Sequence, residues 1–241
     1  MKSRFAVYMA AGRKKMIPKT ENLLRKTAAE ENIGLSTRKT IDRNAYFYHV
    51  ITQSWTKETI FYRDVAAYRE NLLGKLCPEY GLTILFSVVM PNHTHDVFLT
   101  PEWEKLPDML RNLNRNVSRY IRKHYPEKAK HGKRIFDHCP AYVPVKDIGQ
   151  LFYLGKYIFD NPRYLEKEGR RVPGSCFWMF EKAHFTAGYN EKAYPSLFGL
   201  TPQEIFSVYS SMTKEEVRLY SEERFCNWTD EDNRAVFTRG K

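Results

Sequence analysis

The sequence predicts an α+β fold, an antiparallel sheet with helices packed on one side. Three observations carry that reading. Ala45–Gln53 and Leu82–Met90 are rich in β-branched, aromatic and other apolar residues, the composition of strands. Pro91-Asn92 breaks the second run, and a further extended segment follows from His93 to Thr100, as in a hairpin. Other segments place apolar residues at spacings of three and four, the period of a helix.

The elements follow in order. Residues 1–44 form a basic, mostly polar extension, with one short helix expected around Glu21–Glu31. After the first strand, Arg63–Leu76 sets Val65, Tyr68, Leu72 and Leu76 at helical spacing, with Pro78 and Gly81 closing the helix. The hairpin comes next. The clearest helix runs from Leu106 to about Tyr125, with Leu106, Leu110, Leu113, Val117 and Tyr120 or Ile121 as its apolar stripe. Arg134–Lys146 reads as a loop and a short fourth strand. Asp147 can cap a helix that runs to about Asp160 and stops at Asn161-Pro162. Beyond Gly169 the chain is irregular until two capping boxes, Thr201-Pro202-Gln203-Glu204 and Thr213-Lys214-Glu215-Glu216, open two helices. The expected organisation is a basic extension over 1–44, a core over 45–168 and a helical C-terminal extension over 169–241.

Composition limits the function classes. Hydrophobic residues make up 42% and charged residues 28%, ordinary for a globular chain. No run approaches the ~18 consecutive apolar residues of a membrane helix, and the N-terminus lacks the apolar core of a secretory signal. The cysteines Cys77, Cys139, Cys176 and Cys226 are far apart with no Cys-x-x-Cys, which argues against a zinc knuckle and for a reducing compartment.

The net charge of +11 favours a polyanionic partner. It is blocked: residues 1–40 hold ten Lys or Arg against three Glu, and residues 111–134 hold nine against Glu127 alone. Arg111, Arg115, Arg119 and Lys123 recur every fourth position, and none of the three arginines has an acidic residue at i±4. Such a stripe repels itself unless it tracks phosphates. With aromatics at 15%, stacking on unpaired bases is also open to this chain.

The chemistry concentrates in two places. In a strand, residues i and i+2 share a face about 6–7 Å apart, so His93 and His95 present two imidazoles side by side, suited to one metal ion. On the helix from Asp147, Ile148, Leu151, Phe152, Gly155, Ile158 and Phe159 supply a buried face, while Gln150, Tyr153, Tyr157 and Asn161 share another. Tyr157 and Asn161 are one i+4 step apart. An amide oxygen is a third ligand type beside two imidazoles, and a tyrosine one turn away can attack what the metal polarises.

Val89-Met90-Pro91-Asn92-His93-Thr94-His95, followed about sixty residues later by Tyr157-Ile158-Phe159-Asp160-Asn161-Pro162, resembles the paired signature of the REP-associated tyrosine transposases. These are HUH single-strand DNA nucleases with one catalytic tyrosine, of the insertion-sequence-200-like kind. The resemblance covers roughly residues 45–165, with Arg134-Ile135-Phe136 and Val143-Pro144-Val145-Lys146 matching less distinctively.

The resemblance implies a ferredoxin-like HUH core. It implies that His93, His95 and Asn161 hold a divalent metal, Mg²⁺ or Mn²⁺, and that Tyr157 is the nucleophile. Single-stranded DNA at hairpin-forming repeats would be cleaved through a 5′-phosphotyrosine and rejoined. Arg111, Arg115, Arg119, Lys123 and Arg134 would bind DNA, with base-specific contacts from the N-terminal arm. The setting would be the bacterial cytoplasm and nucleoid, with no membrane partner, as a monomer or homodimer. Tyr153 and Tyr120 are alternative nucleophiles. The alternative function is a catalytically silent DNA- or RNA-binding protein of the same fold. Two positions depart from the pattern, both normally apolar: Thr94 and Asp96. His49, His124, His131, His138 and His184 lack comparable spacing, so surface or satisfied polar roles are expected for them.

Overall fold

The computed structural model describes residues 41–229, apart from positions 133, 138, 146, 168, 170 and 228. The helix expected around Glu21–Glu31 and the N-terminal arm lie outside these residues.

The order is β1 (Phe47–Gln53), α1 (Arg63–Glu79), β2 (Thr83–Val89), β3 (His93–Leu99), α2 (Lys105–His124), β4 (Ala141–Val145) and α3 (Ile148–Glu166). Then come β5 (Gly174–Ser175), α4 (Phe177–Lys182), α5 (Ala193–Phe198), α6 (Pro202–Ser211) and α7 (Lys214–Arg224). Among the described residues the strands form one sheet ordered β4-β1-β3-β2-β5, antiparallel at every pairing. The first four strands with α1 and α2 give the βαββαβ path of a ferredoxin-like core, the α+β fold expected.

Strand pleating sorts the side chains. Tyr48, Val50 and Phe98 face α1 and α2, packing with Val65, Leu73, Leu106, Leu110, Leu113, Val117 and Ile121. Phe47, Val97, Leu99, Phe86 and Val88 face the other way, onto α3 and the helices after it. The helices therefore cover both faces of the sheet rather than one. A strand set apolar on both faces exposes too much surface if one is left open, and residues 177–225 supply the second cover. Phe86 is its centre, with the rings of Phe177, Phe180, Tyr194, Phe198 and Tyr209 at 6.0–6.4 Å.

A bulge between Ile84 and Phe86 shifts the β2–β3 register, so that Val88 opposes His95 and Ser87 opposes Asp96. The shift puts Phe86 and Val88 on the α3 face and Ser87 on the other. Gly155 of α3 lies close above: a Cβ there would stand 2.3 Å from Tyr209 Oη and 2.8 Å from Phe86 Cζ. Only glycine lets α3 approach this closely.

α3 begins as expected, with Asp147 accepting from Gly149 N at 2.6 Å and Gln150 N at 3.3 Å. It does not stop at Asn161-Pro162 but continues through Pro162 to Glu166. The proline removes the donor that the Ile158 carbonyl would use, while the burial of Ile158 and Leu165 holds the helix on both sides of it. Both capping boxes, at Thr201 and Thr213, are formed. No helix among the described residues is long and apolar enough to cross a membrane.

Candidate active site

The hairpin places the two histidines at the start of β3, on the face toward α3. His93 Nε2 and His95 Nε2 stand 3.1 Å apart. Each ring is held from behind. His93 Nδ1 meets Asn92 Oδ1 at 2.7 Å, and Asn92 Nδ2 donates to the Lys57 carbonyl at 2.9 Å. That second bond fixes the amide's orientation, so Oδ1 can only accept and His93 Nδ1 carries the proton. A neutral His93 then offers a bare lone pair at Nε2.

His95 Nδ1 lies 2.9 Å from His49 Nε2. His49 was expected to be a surface or satisfied polar residue; it is a buried member of the site. β1 and β3 pair with His49 opposite Val97 and Ile51 opposite His95, so His49 reaches His95 along the sheet diagonal. Nothing in local spacing signals this, because it depends on strand register.

Burial pushes the His49 imidazole down to about 3, with the His93 charge adding to the effect. Burial alone brings His93 down to about 4. His95 falls well below its usual value, through burial first and then His93 and His49. All three are neutral at neutral pH, the form that ligates metals.

The residues present fit a metal. Adjacent nitrogen ligands on an ion at about 2.0–2.1 Å stand about 3 Å apart, the separation of the two Nε2 atoms. Asn161 is buried, and its Nδ2 has no hydrogen-bond partner. As a donor it would take an acceptor such as a phosphate oxygen, while only the amide oxygen of Asn161 could ligate a metal. Among the described residues no group of three or more His, Cys, Asp or Glu converges on one point.

Tyr157 is half-buried, and its ring stands edge-on to His95, with centroids 5.6 Å apart and planes at 89°. Lys214 also stands against this ring, with Nζ 5.3 Å from its centre. Lys214 is supplied by α7, and no local spacing signals it. The structure thus brings together His93, His95 and Tyr157, with Asn161 one turn further along α3.

The other candidates are elsewhere. Tyr153 is buried in the core on the α3 side. Tyr120 lies on α2, stacked on Tyr68 at 4.3 Å, with its hydroxyl donating to Asp64 at 3.1 Å. Arg111, Arg115, Arg119 and Lys123 are exposed on α2, and the sheet separates that helix from the histidines. Arg111 has an acidic partner after all, Asp108 at i−3, 2.9 Å away. Arg134 is exposed and precedes a segment that runs beside the end of β1: Trp55 N donates to Ile135 O at 2.9 Å and Asp137 N to Gln53 O at 2.9 Å. Gln53 is paired with His93, so Arg134 sits at the histidine end of the sheet.

Thr94 and Asp96, the departures from the apolar pattern, point to the opposite face. There Asp96 takes the Arg69 guanidinium, the Ser87 hydroxyl at 2.7 Å and the Thr94 hydroxyl at 2.9 Å. Every member is buried. This polar cluster ties α1 to the back of the strand that carries the histidines.

Residues 43–159 match the family model described as Transposase IS200 like. Among curated proteins no relative matches. Among solved structures, a REP-associated tyrosine transposase bound to a REP hairpin is similar at 14% identity, over 64% of this chain and 90% of that one, with a TM-score of 0.48. A putative transposase from Deinococcus radiodurans R1 is similar at 19% identity, over 52% and 95%, with a TM-score of 0.36. The tRNA(His) guanylyltransferase of Saccharomyces cerevisiae is similar at 14% identity, over 81% and 87%, with a TM-score of 0.38. Over residues 43–159, just under half of the chain, the protein is similar to the IS200-like transposases.

Proposed function

We propose that this protein cleaves and rejoins single-stranded DNA with Tyr157 as its nucleophile. One observation carries the reading: two neutral imidazoles converge at 3.1 Å, and the ring of Tyr157 stands 5.6 Å from one of them. A structural histidine pair has no need of a tyrosine at its edge.

A Mg²⁺ or Mn²⁺ ion held by His93, His95 and Asn161 would draw charge from the scissile phosphate. Two imidazoles and an amide are weak ligands for such hard ions, so the substrate phosphate completes the set. For His95 to ligate through Nε2, its Nδ1–H must donate to His49 Nε2, which makes His49 the residue that selects the tautomer. Tyr157 Oη then forms the bond to phosphorus as the P–O3′ bond breaks. The phenolic proton passes to solvent and the departing 3′ oxygen takes one up. The 5′-phosphotyrosine keeps the energy of the broken phosphodiester, so attack by another 3′-hydroxyl restores a DNA strand.

The substrate is a hairpin-forming repeat in the bacterial cytoplasm. Arg134 would contact the strand near the cleavage position. Arg111, Arg115, Arg119 and Lys123, across the sheet, would hold a more distant part of the backbone, such as a hairpin stem.

A denaturing gel tests the reading. Purified protein with Mn²⁺ meets labelled single-stranded hairpins from the DNA flanking its gene, beside a Tyr157→Phe control. A metal-dependent covalent adduct that disappears in the variant is the expected result. Tight, salt-sensitive binding without an adduct would indicate a silent DNA-binding protein instead.

A further inference from the structure

We infer that a cleft beside the β2–β3 turn binds one nucleotide of the single strand, its phosphate on Arg63 and Arg171 and its base against Tyr62; the inference rests on the reading of strand cleavage given above. The cleft joins two parts of the chain, since Arg63 lies within residues 43–159 and Arg171 beyond them.

The fold sets the walls. The carbonyl of Pro91, in the β2–β3 turn, accepts from Ile60 N at 2.9 Å and from Phe61 N at 3.0 Å. These bonds tie the segment that enters α1 to the turn. On the other side, Val88 pairs with Ser175 and Val89 with Gly174, which brings residues 171–173 to the same end of β2. Between them opens a cleft of about 610 Å³, with Phe61, Tyr62, Arg63, Pro91 and Arg171 in its lining. The aromatic wall is held from behind. Phe61 packs on Phe136 with ring centres 5.9 Å apart, and Tyr62 is stacked on Tyr125 at 4.4 Å. The Tyr125 hydroxyl donates in turn to Asp64 at 2.7 Å.

The lining selects the ligand. Two of its side chains are guanidinium groups, and among the described residues none is a carboxylate. A guanidinium fork matches the oxygens of a phosphate. Beside it, an aromatic wall suits the flat face of an unpaired base. The volume is that of a site for a small molecule, about 300–1,000 Å³. A duplex keeps its bases stacked inside and could offer such a cleft only phosphates. Position links the cleft to the histidines. Pro91 is two residues from His93, at most about 7 Å of chain. Asn92, between them, holds His93 Nδ1 at 2.7 Å. A strand whose phosphate lies at His93 can therefore place a neighbouring nucleotide in the cleft.

The test uses the full chain in a Tyr157→Phe background, so that binding is read without cleavage. The probes are labelled hairpins from the DNA flanking its gene, with single-stranded tails or with blunt ends. Tailed hairpins should bind more tightly than blunt ones. Replacing Arg63 and Arg171 together with Gln should weaken tailed binding roughly ten- to a hundredfold, the effect of losing hydrogen bonds to a charged group. The slope of log affinity against log salt should fall by at least about 0.7, one single-strand phosphate contact. Blunt binding should be unchanged. An abasic site moved along the tail should cost roughly five- to a hundredfold at one position, the loss of one stacked base. Tyr62→Leu should abolish that penalty, with its melting temperature as the check on folding. Equal binding of tailed and blunt hairpins, an unchanged tailed affinity in the double arginine variant, or an equal loss on blunt hairpins would each overturn the inference. Adduct formation by the wild type with Mn²⁺ is scored separately. If no adduct forms, the nuclease reading fails, and the tailed-hairpin comparison still decides the cleft.

Discussion

Asn92 holds His93 by one side of its amide and the Lys57 carbonyl by the other, and this small arrangement leaves a lone pair facing His95. The His-x-His pair is legible in the sequence because strand pleating alone puts both rings on one face. His49 is not, because it joins the pair only through the β1–β3 register. Replacing His49 with Ala should weaken Mn²⁺ activation roughly 10–100-fold, the usual effect of losing a partner behind a metal ligand. A Mn²⁺ titration of adduct formation measures this. Asp96 carries a different prediction. A carboxylate in an apolar run signals a buried partner, and Arg69 is that partner. Asp96→Ala strands the guanidinium and should cost about 3–5 kcal/mol in urea unfolding.

At the scale of elements, strands β1 to β4 and helices α1 and α2 follow from composition and periodicity, with ends shifted by one to a few residues. α3 shows where local rules yield to packing. Pro162 marks a helix end by sequence, yet buried Leu165 lies beyond it and the helix continues. Gly155 in the same helix is read by sequence only as a small residue on the buried face. Its role is the close approach to Phe86 and Tyr209, so Gly155→Ala should destabilise the protein by about 1–3 kcal/mol through overpacking, measured by thermal or urea denaturation. The basic stripe of α2 makes a separate prediction. Replacing Arg115, Arg119 and Lys123 together with Ala should weaken hairpin binding and lower the salt slope by up to about 2–3, read by titration at several salt concentrations.

For the whole molecule, the second helical layer was the part the sequence concealed. Its apolar residues sit in short helices, such as Phe177–Lys182 and Ala193–Phe198, too brief for a helical period to emerge. Yet Phe177, Phe180, Tyr194, Phe198 and Tyr209 cover the sheet face that bears the histidines. A chain ending at Gly169 should therefore lose its fixed tertiary packing, with increased binding of a hydrophobic dye and a lost near-ultraviolet circular dichroism signal. Both helix layers thus converge on one strand, β3, from opposite sides, with the polar cluster of Asp96 behind it and the histidines in front.

The most direct test of the central claim is to locate the DNA on the protein. A trapped adduct is digested with nuclease and trypsin, and the modified peptide is sequenced by mass spectrometry. Tyr157–Arg163, Asp147–Lys156 and Tyr120–Arg122 fall in separate tryptic peptides, so the three tyrosines are distinguished directly. A nucleotide on Tyr157 is the expected result. A nucleotide on Tyr153 or Tyr120 would contradict it.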